Sequence, residues 1–326
     1  MDTSTHIVMG VGLAGLATLD PNVSASPYMA TAVLATTLVA SNAPDFDTIL
    51  KLRNNAVYIR HHRGITHSLP ALFLWPFIVS GGLMLFFQDA YWPTLLLWAA
   101  ISVFLHVFVD IFNAYGTQAL RPISNRWIAL GVINIFDPVI FGSHVFGIML
   151  WILGLPPGPA FIGIYLFLIC YYVWRYKQKQ KVVRQARQIH PNASHIFVSP
   201  TIRWNKWHLV IRTPDMLYVA QSKDRVIHFF ESYTFDPIPN DSVMQAARSD
   251  KNLAAFLSFS PTYRWEMEAT DDNGYEVRFV DLRYRSNGYY PFVAIVKMDE
   301  QLNVITSYTG WVYSEETLRK KLKIIT

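Results

Sequence analysis

The first 174 residues contain no glutamate and only six lysines or arginines. Soluble globular domains normally carry about 25% charged residues, so this stretch does not read as a globular domain in water. Cysteine is equally scarce: Cys170 stands alone in the chain, which excludes an intramolecular disulfide framework and a cysteine-rich zinc module. Residues 190–326 contain neither a phosphate-binding loop nor a dinucleotide fingerprint. The opening Met1-Asp2-Thr3-Ser4-Thr5-His6 lacks the positive region of a secretory signal, and no obvious cleavage site follows. The N-terminus is therefore expected to be retained.

Long apolar runs are what the sequence does have. Residues 69–87, 92–112 and 159–174 approach or reach the roughly 17–25 residues that cross a hydrocarbon core, and 139–153 is a shorter candidate. Two earlier runs, 6–19 and 28–43, are short and rich in Gly, Ala and Ser. They either cross or form a hairpin that dips in and returns, and both alternatives leave His6 and Asp45 on one side.

The scarce basic residues set the orientation. Lys51, Arg53, Arg60 and Arg63 share one loop and Arg121 and Arg126 another, whereas the loops around Asp20 and Gln88-Asp89 have none. Basic loops stay in the cytoplasm. The cluster Arg175, Lys177, Lys179, Lys181, Arg184 and Arg187 follows the last apolar run, so what comes after it is also expected to be cytoplasmic. Residues 190–326 carry sixteen basic and sixteen acidic side chains. With that balance and no helix-turn-helix signature, direct nucleic-acid binding is not expected.

The texture changes after His190-Pro191-Asn192. Segments 206–213, 216–221, 225–232, 261–269, 275–283, 290–298 and 302–308 are β-branched and aromatic between turn signals such as Asp272-Asn273-Gly274 and Ser286-Asn287-Gly288, the chemistry of strands and hairpins. Residues 241–258 read as helical, and Ser314 as the cap of a helix through Ile324. The expected fold is an α-helical membrane bundle of about four to six membrane segments over 1–174, a basic juxtamembrane helix or linker over 175–189, and a small cytoplasmic α+β domain, mainly antiparallel β, over 190–326. The expected location is a cell membrane, multi-pass, with membrane lipids as partners.

The candidate chemistry lies in the membrane half. An aspartate there costs roughly 2.5–3.5 kcal/mol to insert and is a functional-site hypothesis by default. Asp110 follows His106 by four residues, so both project from one helical face. They suit a divalent metal, or a His-Asp pair that joins helices; Asn113 on that face reads as a residue that orients a ligand or packs, rather than as a ligand. Asp45 and Asp47 flank Phe46 and face one way if extended, or form an ordinary turn. In Arg60-His61-His62-Arg63-Gly64-Ile65-Thr66-His67-Ser68 the histidines offer ligands or acid/base groups and Arg63 a fork for an anion, unless the loop is merely basic. Asp137 before Pro138 is a helix cap, a ligand or both. His144, two turns on, reads as core hydrogen bonding. His6 opens the first apolar run, where Thr3 or Ser4 would cap. On the inferred topology, His6, Asp45, Asp47, His62, His67, His106, Asp110 and Asp137 all fall at cytoplasmic ends.

In order, Thr5-His6, Asn42-x-Pro44-Asp45-x-Asp47, His62-Arg63-Gly64-x-Thr66-His67-Ser68, His106-x-x-x-Asp110-x-x-Asn113 and Asp137-Pro138 resemble the bacterial YdjM-like family, described by inference as membrane-bound, metal-dependent hydrolases. The resemblance spans roughly residues 1–170 and implies a helical inner-membrane protein whose His and Asp residues bind metal. That family is also described as LexA-binding, which implies a regulatory alternative; residues 190–326 lie outside its common core. His- and Asp-rich zinc phospholipases offer a looser analogy. The expectation is a metal-dependent hydrolase of a lipid-linked phosphoester or other ester, with His6, Asp45, Asp47, His67, His106 and Asp110 holding Zn, Mn or Fe and His62, Arg63 and Asp137 as catalytic groups. The alternative is a non-enzymatic membrane regulator acting through a cytoplasmic protein partner. An ion pathway fits poorly, because the outward half is almost entirely apolar.

Overall fold

A computed structural model describes residues 1–52, 54–286 and 288–323. Arg53, Asn287 and the helix end expected at Ile324 lie outside the described residues. Two compact units are present. One comprises 1–47, 62–180 and 200–204; the other comprises 48–61, 181–199 and 205–326.

The first unit is helical. Its elements are α1 (Thr3–Ala17), the short α2 (Pro21–Ser24) and α3 (Pro27–Ala40), then a 3-10 stretch, Ala43–Leu52, that runs on into the second unit. The segment Asn55–His61, α4, belongs to the second unit. After a 3-10 turn at Ile65–His67 come α5 (Leu69–Leu83), α6 (Trp92–Asp110), α7 (Pro138–Ile152) and α8 (Pro157–Ile189), whose end passes into the second unit.

Helix starts follow the residues available. Asp2, not Thr3 or Ser4, caps α1 by accepting from the Thr5 amide at 3.1 Å. Ser26 and Asp137 do the same for α3 and α7, each followed by a proline whose missing N–H costs nothing there.

Among the described residues, α6 and α8 are long and apolar enough to cross a membrane; a third span exists if the bent pair over 55–67 and 69–83 counts as one. The expected four to six segments are not confirmed, because α1, α3 and α7 have 15, 14 and 15 residues, short of the roughly 20 that span. Helices in lipid gain little from hiding apolar surface and associate through close packing of small residues. Gly10 shows this: a Cβ there would stand 2.6 Å from Ser41 Oγ and 2.9 Å from the Thr37 carbonyl oxygen, so α1 can approach the end of α3 only as glycine permits.

The second unit is layered. Strands β1 (His195–Pro200), β2 (Lys206–Arg212), β3 (Met216–Lys223) and β4 (Val226–Thr234) form one sheet in sequence order. Helices α9 (Ser242–Ser249) and α10 (Lys251–Phe259) precede the second sheet, β5 (Tyr263–Ala269), β6 (Tyr275–Asp281), β7 (Phe292–Met298) and β8 (Val304–Trp311), also in order; α11 (Glu315–Lys323) closes the chain. Both sheets are antiparallel.

Val210, Leu217 and Val219 of the first sheet pack on Val280, Val293 and Ile295 of the second. The far face of the second sheet carries Phe279 and Phe292 against Met244, Phe256, Ala56 and Ile59. Val182 and Ala186 of α8 cover Trp207, Leu209 and Ile211 on the first sheet. The single helix expected over 241–258 is two, because Asp250 turns extended (φ −66°, ψ 138°) and its carboxylate caps α10 through the Asn252 and Leu253 amides.

Candidate metal centre

The last turn of α6 places His106 and Asp110 one helical turn apart, both fully buried. The 3-10 stretch after α3 presents Asp45, and the 3-10 turn before α5 presents His67. The four side chains converge, each offering one ligand atom within 4.8 Å of the others. His67 Nε2 lies 3.2 Å from His106 Nε2, 3.5 Å from Asp45 Oδ1 and 3.6 Å from Asp110 Oδ2. His106 Nε2 lies 3.7 Å from Asp45 Oδ1 and 3.9 Å from Asp110 Oδ2. A tetrahedral ion with bonds of about 2.0–2.1 Å has ligand-to-ligand edges of about 3.3–3.4 Å. The observed spacings therefore need only a small contraction.

Hydrogen bonds behind the imidazoles fix what they offer. His106 Nδ1 lies 2.6 Å from the Ser41 carbonyl oxygen, which can only accept, so the proton sits on Nδ1 and Nε2 keeps its lone pair. The Thr66 hydroxyl donates to Asp47 Oδ2 at 2.7 Å, leaving its oxygen to accept from His67 Nδ1 at 3.1 Å. His67 Nε2 is thereby also a lone pair. Meanwhile Asp45 Oδ1 and Asp110 Oδ2 are buried without a hydrogen-bond partner. Two nitrogen lone pairs and two carboxylate oxygens face one point in a buried pocket; the Arg63 guanidinium, 3.2 Å from Asp110 Oδ2, offsets part of that charge from one side, and a cation among the four atoms would offset the rest. The donor set thus fits a divalent ion of the borderline type.

Neighbouring residues surround this centre. His6 stacks on His106 with ring centroids 3.8 Å apart, and its Nε2 is 3.6 Å from Asp110 Oδ1, which also contacts the Met1 amino group. Asn113 donates to that oxygen at 3.4 Å and anchors the loop after α6 by accepting from the Tyr115 and Gly116 amides. Arg63 adopts positive φ (59°), an uncommon backbone state for a residue with a Cβ and one that tends to mark functional sites. Its amide donates to Asp47 Oδ2 at 3.1 Å, and its buried guanidinium lies 3.2 Å from Asp110 Oδ2.

Asp47 forms a second group with Asp45 and His62, again within 4.8 Å. Its Oδ1 accepts from His62 Nδ1 at 2.7 Å. Burial alone would raise the Asp47 pKa, but the His62 and Thr66 hydrogen bonds outweigh it and hold the carboxyl below the ordinary range. Asp137 lies in neither group; it caps α7 and accepts from the Tyr171 hydroxyl at 2.9 Å. His144 is likewise elsewhere, its Nδ1 donating to the Ile140 carbonyl at 2.8 Å. Two contributors were not anticipated. Ser41 acts through its backbone oxygen and leaves no sequence signal, whereas Thr66 directly precedes a candidate ligand and was open to being read.

Apolar helices around a buried His-Asp cluster define a helical membrane protein with a candidate metal centre. The chain belongs to the YdjM inner membrane protein family, whose model matches residues 1–182. The rest matches two further models, the YfhP middle domain over 191–233 and the YfhP C-terminal alpha/beta plait domain over 242–322. A relative from Bacillus subtilis (strain 168), described as "Uncharacterized protein YfhP", is 51% identical over 325 residues, covering 99% of each chain. No solved structure matches.

Proposed function

We propose that the protein is a metal-dependent hydrolase of the cytoplasmic membrane leaflet, acting on a phosphoester or other ester of a lipid-linked substrate. The observation that carries this reading is the convergence of His67 Nε2, His106 Nε2, Asp45 Oδ1 and Asp110 Oδ2 with no donor proton among them. Those four would hold Zn, Mn or Fe. A divalent ion, when bound, acidifies water and stabilises negative charge developing on an ester or phosphoester oxygen.

The protein's own groups have separable tasks. Ser41 and Thr66 keep the two imidazoles in the ligating tautomer. Arg63 holds Asp110 in place and faces the centre with positive charge, and His6 backs His106. Asp45, with its side chain 17% exposed, marks the approach from outside. His62, at 21% exposed and held through Nδ1 by Asp47, is placed to pass a proton to a leaving group. Asp47, first expected as a ligand, is assigned to positioning His62 and Thr66, and Asp137 to holding the start of α7. The basic loops orient the bundle with residues 190–326 in the cytoplasm.

The test is hydrolysis by full-length protein in detergent, loaded with Zn or Mn. Phosphate release is followed from phosphatidic acid, and fatty-acid release from phosphatidylglycerol, for wild type beside Asp110→Ala and His62→Gln. The proposal expects turnover of one lipid, abolished by Asp110→Ala and reduced about 100-fold or more by His62→Gln. Metal-loaded wild type no faster than Asp110→Ala on both lipids would overturn it in favour of a regulator.

A further inference from the structure

A second feature of the helical unit shares no residue with the His-Asp centre. Helices α1, α6, α7 and α8 enclose a cavity of about 540 Å³, within the range of ligand sites. Its walls are Met9, Leu105, Val109, Ile140, Leu168 and further aromatic and aliphatic side chains. A smaller cavity of about 300 Å³ shares Leu105, Tyr165 and Ile169 with it. Together their linings run along α8 from Ile162 to Tyr176, about 21 Å at 1.5 Å per residue. That length is a large fraction of the roughly 30 Å hydrocarbon thickness.

Four lining residues carry a polar side-chain atom, His144, Tyr165, Tyr172 and Tyr176; the Tyr172 hydroxyl donates to Met1 Sδ at 3.9 Å, whereas His144 Nε2 and the Tyr165 hydroxyl are buried without a hydrogen-bond partner. The rings meet edge to face with centroids 5.6 Å apart. Because His144 Nδ1 donates to a carbonyl, Nε2 is an acceptor that needs a donor. Tyr165 offers a donor and can accept. One hydroxyl group satisfies both at once, donating to His144 and accepting from Tyr165. An ester carbonyl or a bare hydrocarbon chain would leave the His144 acceptor unsatisfied.

The occupant must also reach the cavity. Phe104 and Phe108 of α6 and Ile169 and Val173 of α8 line it and are 57%, 45%, 60% and 49% exposed. They lie on α6 and α8, both long enough to span, so the rim opens to hydrocarbon. We propose that the cavity is a binding site for a membrane lipid alcohol, whose chain lies along α8 and whose hydroxyl bridges His144 Nε2 and Tyr165 Oη. Diacylglycerols and polyprenols share that chemistry. The site goes beyond the hydrolase reading and does not rest on it.

Full-length protein in phosphatidylglycerol vesicles tests the assignment. One arm adds diacylglycerol with a diazirine in its chain, a second a diazirine polyprenol, and a third a diazirine phosphatidylcholine without a free hydroxyl. Adducts are mapped by peptide mass spectrometry, with metal content measured on the same samples. The proposal expects adducts on the buried walls, at Met9, Ile140 or Leu168, in the first or second arm, and the arm that labels identifies the source. Unlabelled alcohol should compete in wild type, and His144→Phe with Tyr165→Phe should cut wall labelling about tenfold without removing metal. Adducts confined to Phe104, Ile169 and Val173, or equal wall labelling by phosphatidylcholine, would overturn it, because either describes lipid that merely surrounds the protein or fills a cavity blind to the hydroxyl.

Discussion

His67 and His106 point their Nε2 atoms at each other across 3.2 Å, and each is held from behind by an oxygen on a different segment of chain. With both protons on Nδ1, two lone pairs face each other beside two carboxylate oxygens. The Ser41 carbonyl and the Thr66 hydroxyl are therefore part of the site, though neither meets the central point.

Thr66 gives the first prediction. Thr66→Val keeps shape but removes the link between Asp47 and His67, freeing the ring to rotate or change tautomer. Outer-shell losses of this kind cost about 10–100-fold in metal affinity. Chelator competition on the purified variant should show that loss, Thr66→Ser should restore most of it, and affinity unchanged in Thr66→Val would refute the relay.

Gly10 gives the second. An added side chain meets Ser41 Oγ and the Thr37 backbone, and forced overpacking costs typically about 1–3 kcal/mol. Gly10→Val should lower the unfolding midpoint in detergent and loosen the metal, since the displaced Ser41 holds His106. Gly81→Val, with nothing within 4 Å, should do neither.

The second unit has its own test. Asp281 is fully buried and accepts from the Arg283 amide, Nε and Nη2 at 2.8–3.1 Å and 2.7 Å. Removing one partner of such a pair costs about 3–5 kcal/mol, because the other charge stays buried. Asp281→Ala should therefore markedly lower the denaturant midpoint of the β signal, and a shift within error would contradict the pairing.

Glu231 predicts a pH dependence. Burial works against its charge, but hydrogen bonds from Tyr233 (2.6 Å), Tyr290 (2.5 Å) and Arg285 (2.9 Å) outweigh it and hold its pKa below the usual 4.5. A depressed folded pKa contributes stability that is complete above the unfolded value and fades as pH falls through the folded one. Glu231→Gln should thus destabilise at pH 7, with the difference from wild type shrinking below pH about 4.5. A constant difference across that window would show that the charge is not responsible.

Much of this was open to reading from the sequence because it rests on periodicity and capping. The apolar runs became α1, α3, α5, α6, α7 and α8, and seven alternating segments became β2 through β8. The strand His195–Pro200 went unread, since it follows the long α8 with no hairpin signal. The break at Asp250 was missed because a capping aspartate inside an apolar-periodic stretch looks like a surface residue. In the centre, four of the six expected ligands converge within 4.8 Å: Asp45, His67, His106 and Asp110. His106 and Asp110 were readable from one-turn spacing, whereas His67 and Asp45 needed the fold to meet them. Segment 55–61 read as a basic loop, yet Ala56 and Ile59 are buried in the second unit's core. Its two apolar positions were too few to stand out beside its charges.

The central claim is that His67, His106, Asp45 and Asp110 hold a divalent ion, and metal content of detergent-purified protein tests it most directly. Wild type and the His106→Ala, Asp110→Ala double variant are compared by mass spectrometry, each verified as folded. The account predicts near-stoichiometric Zn, Mn or Fe in wild type, lost in the variant. Folded wild type without metal after reloading, or equal metal in both, would contradict it.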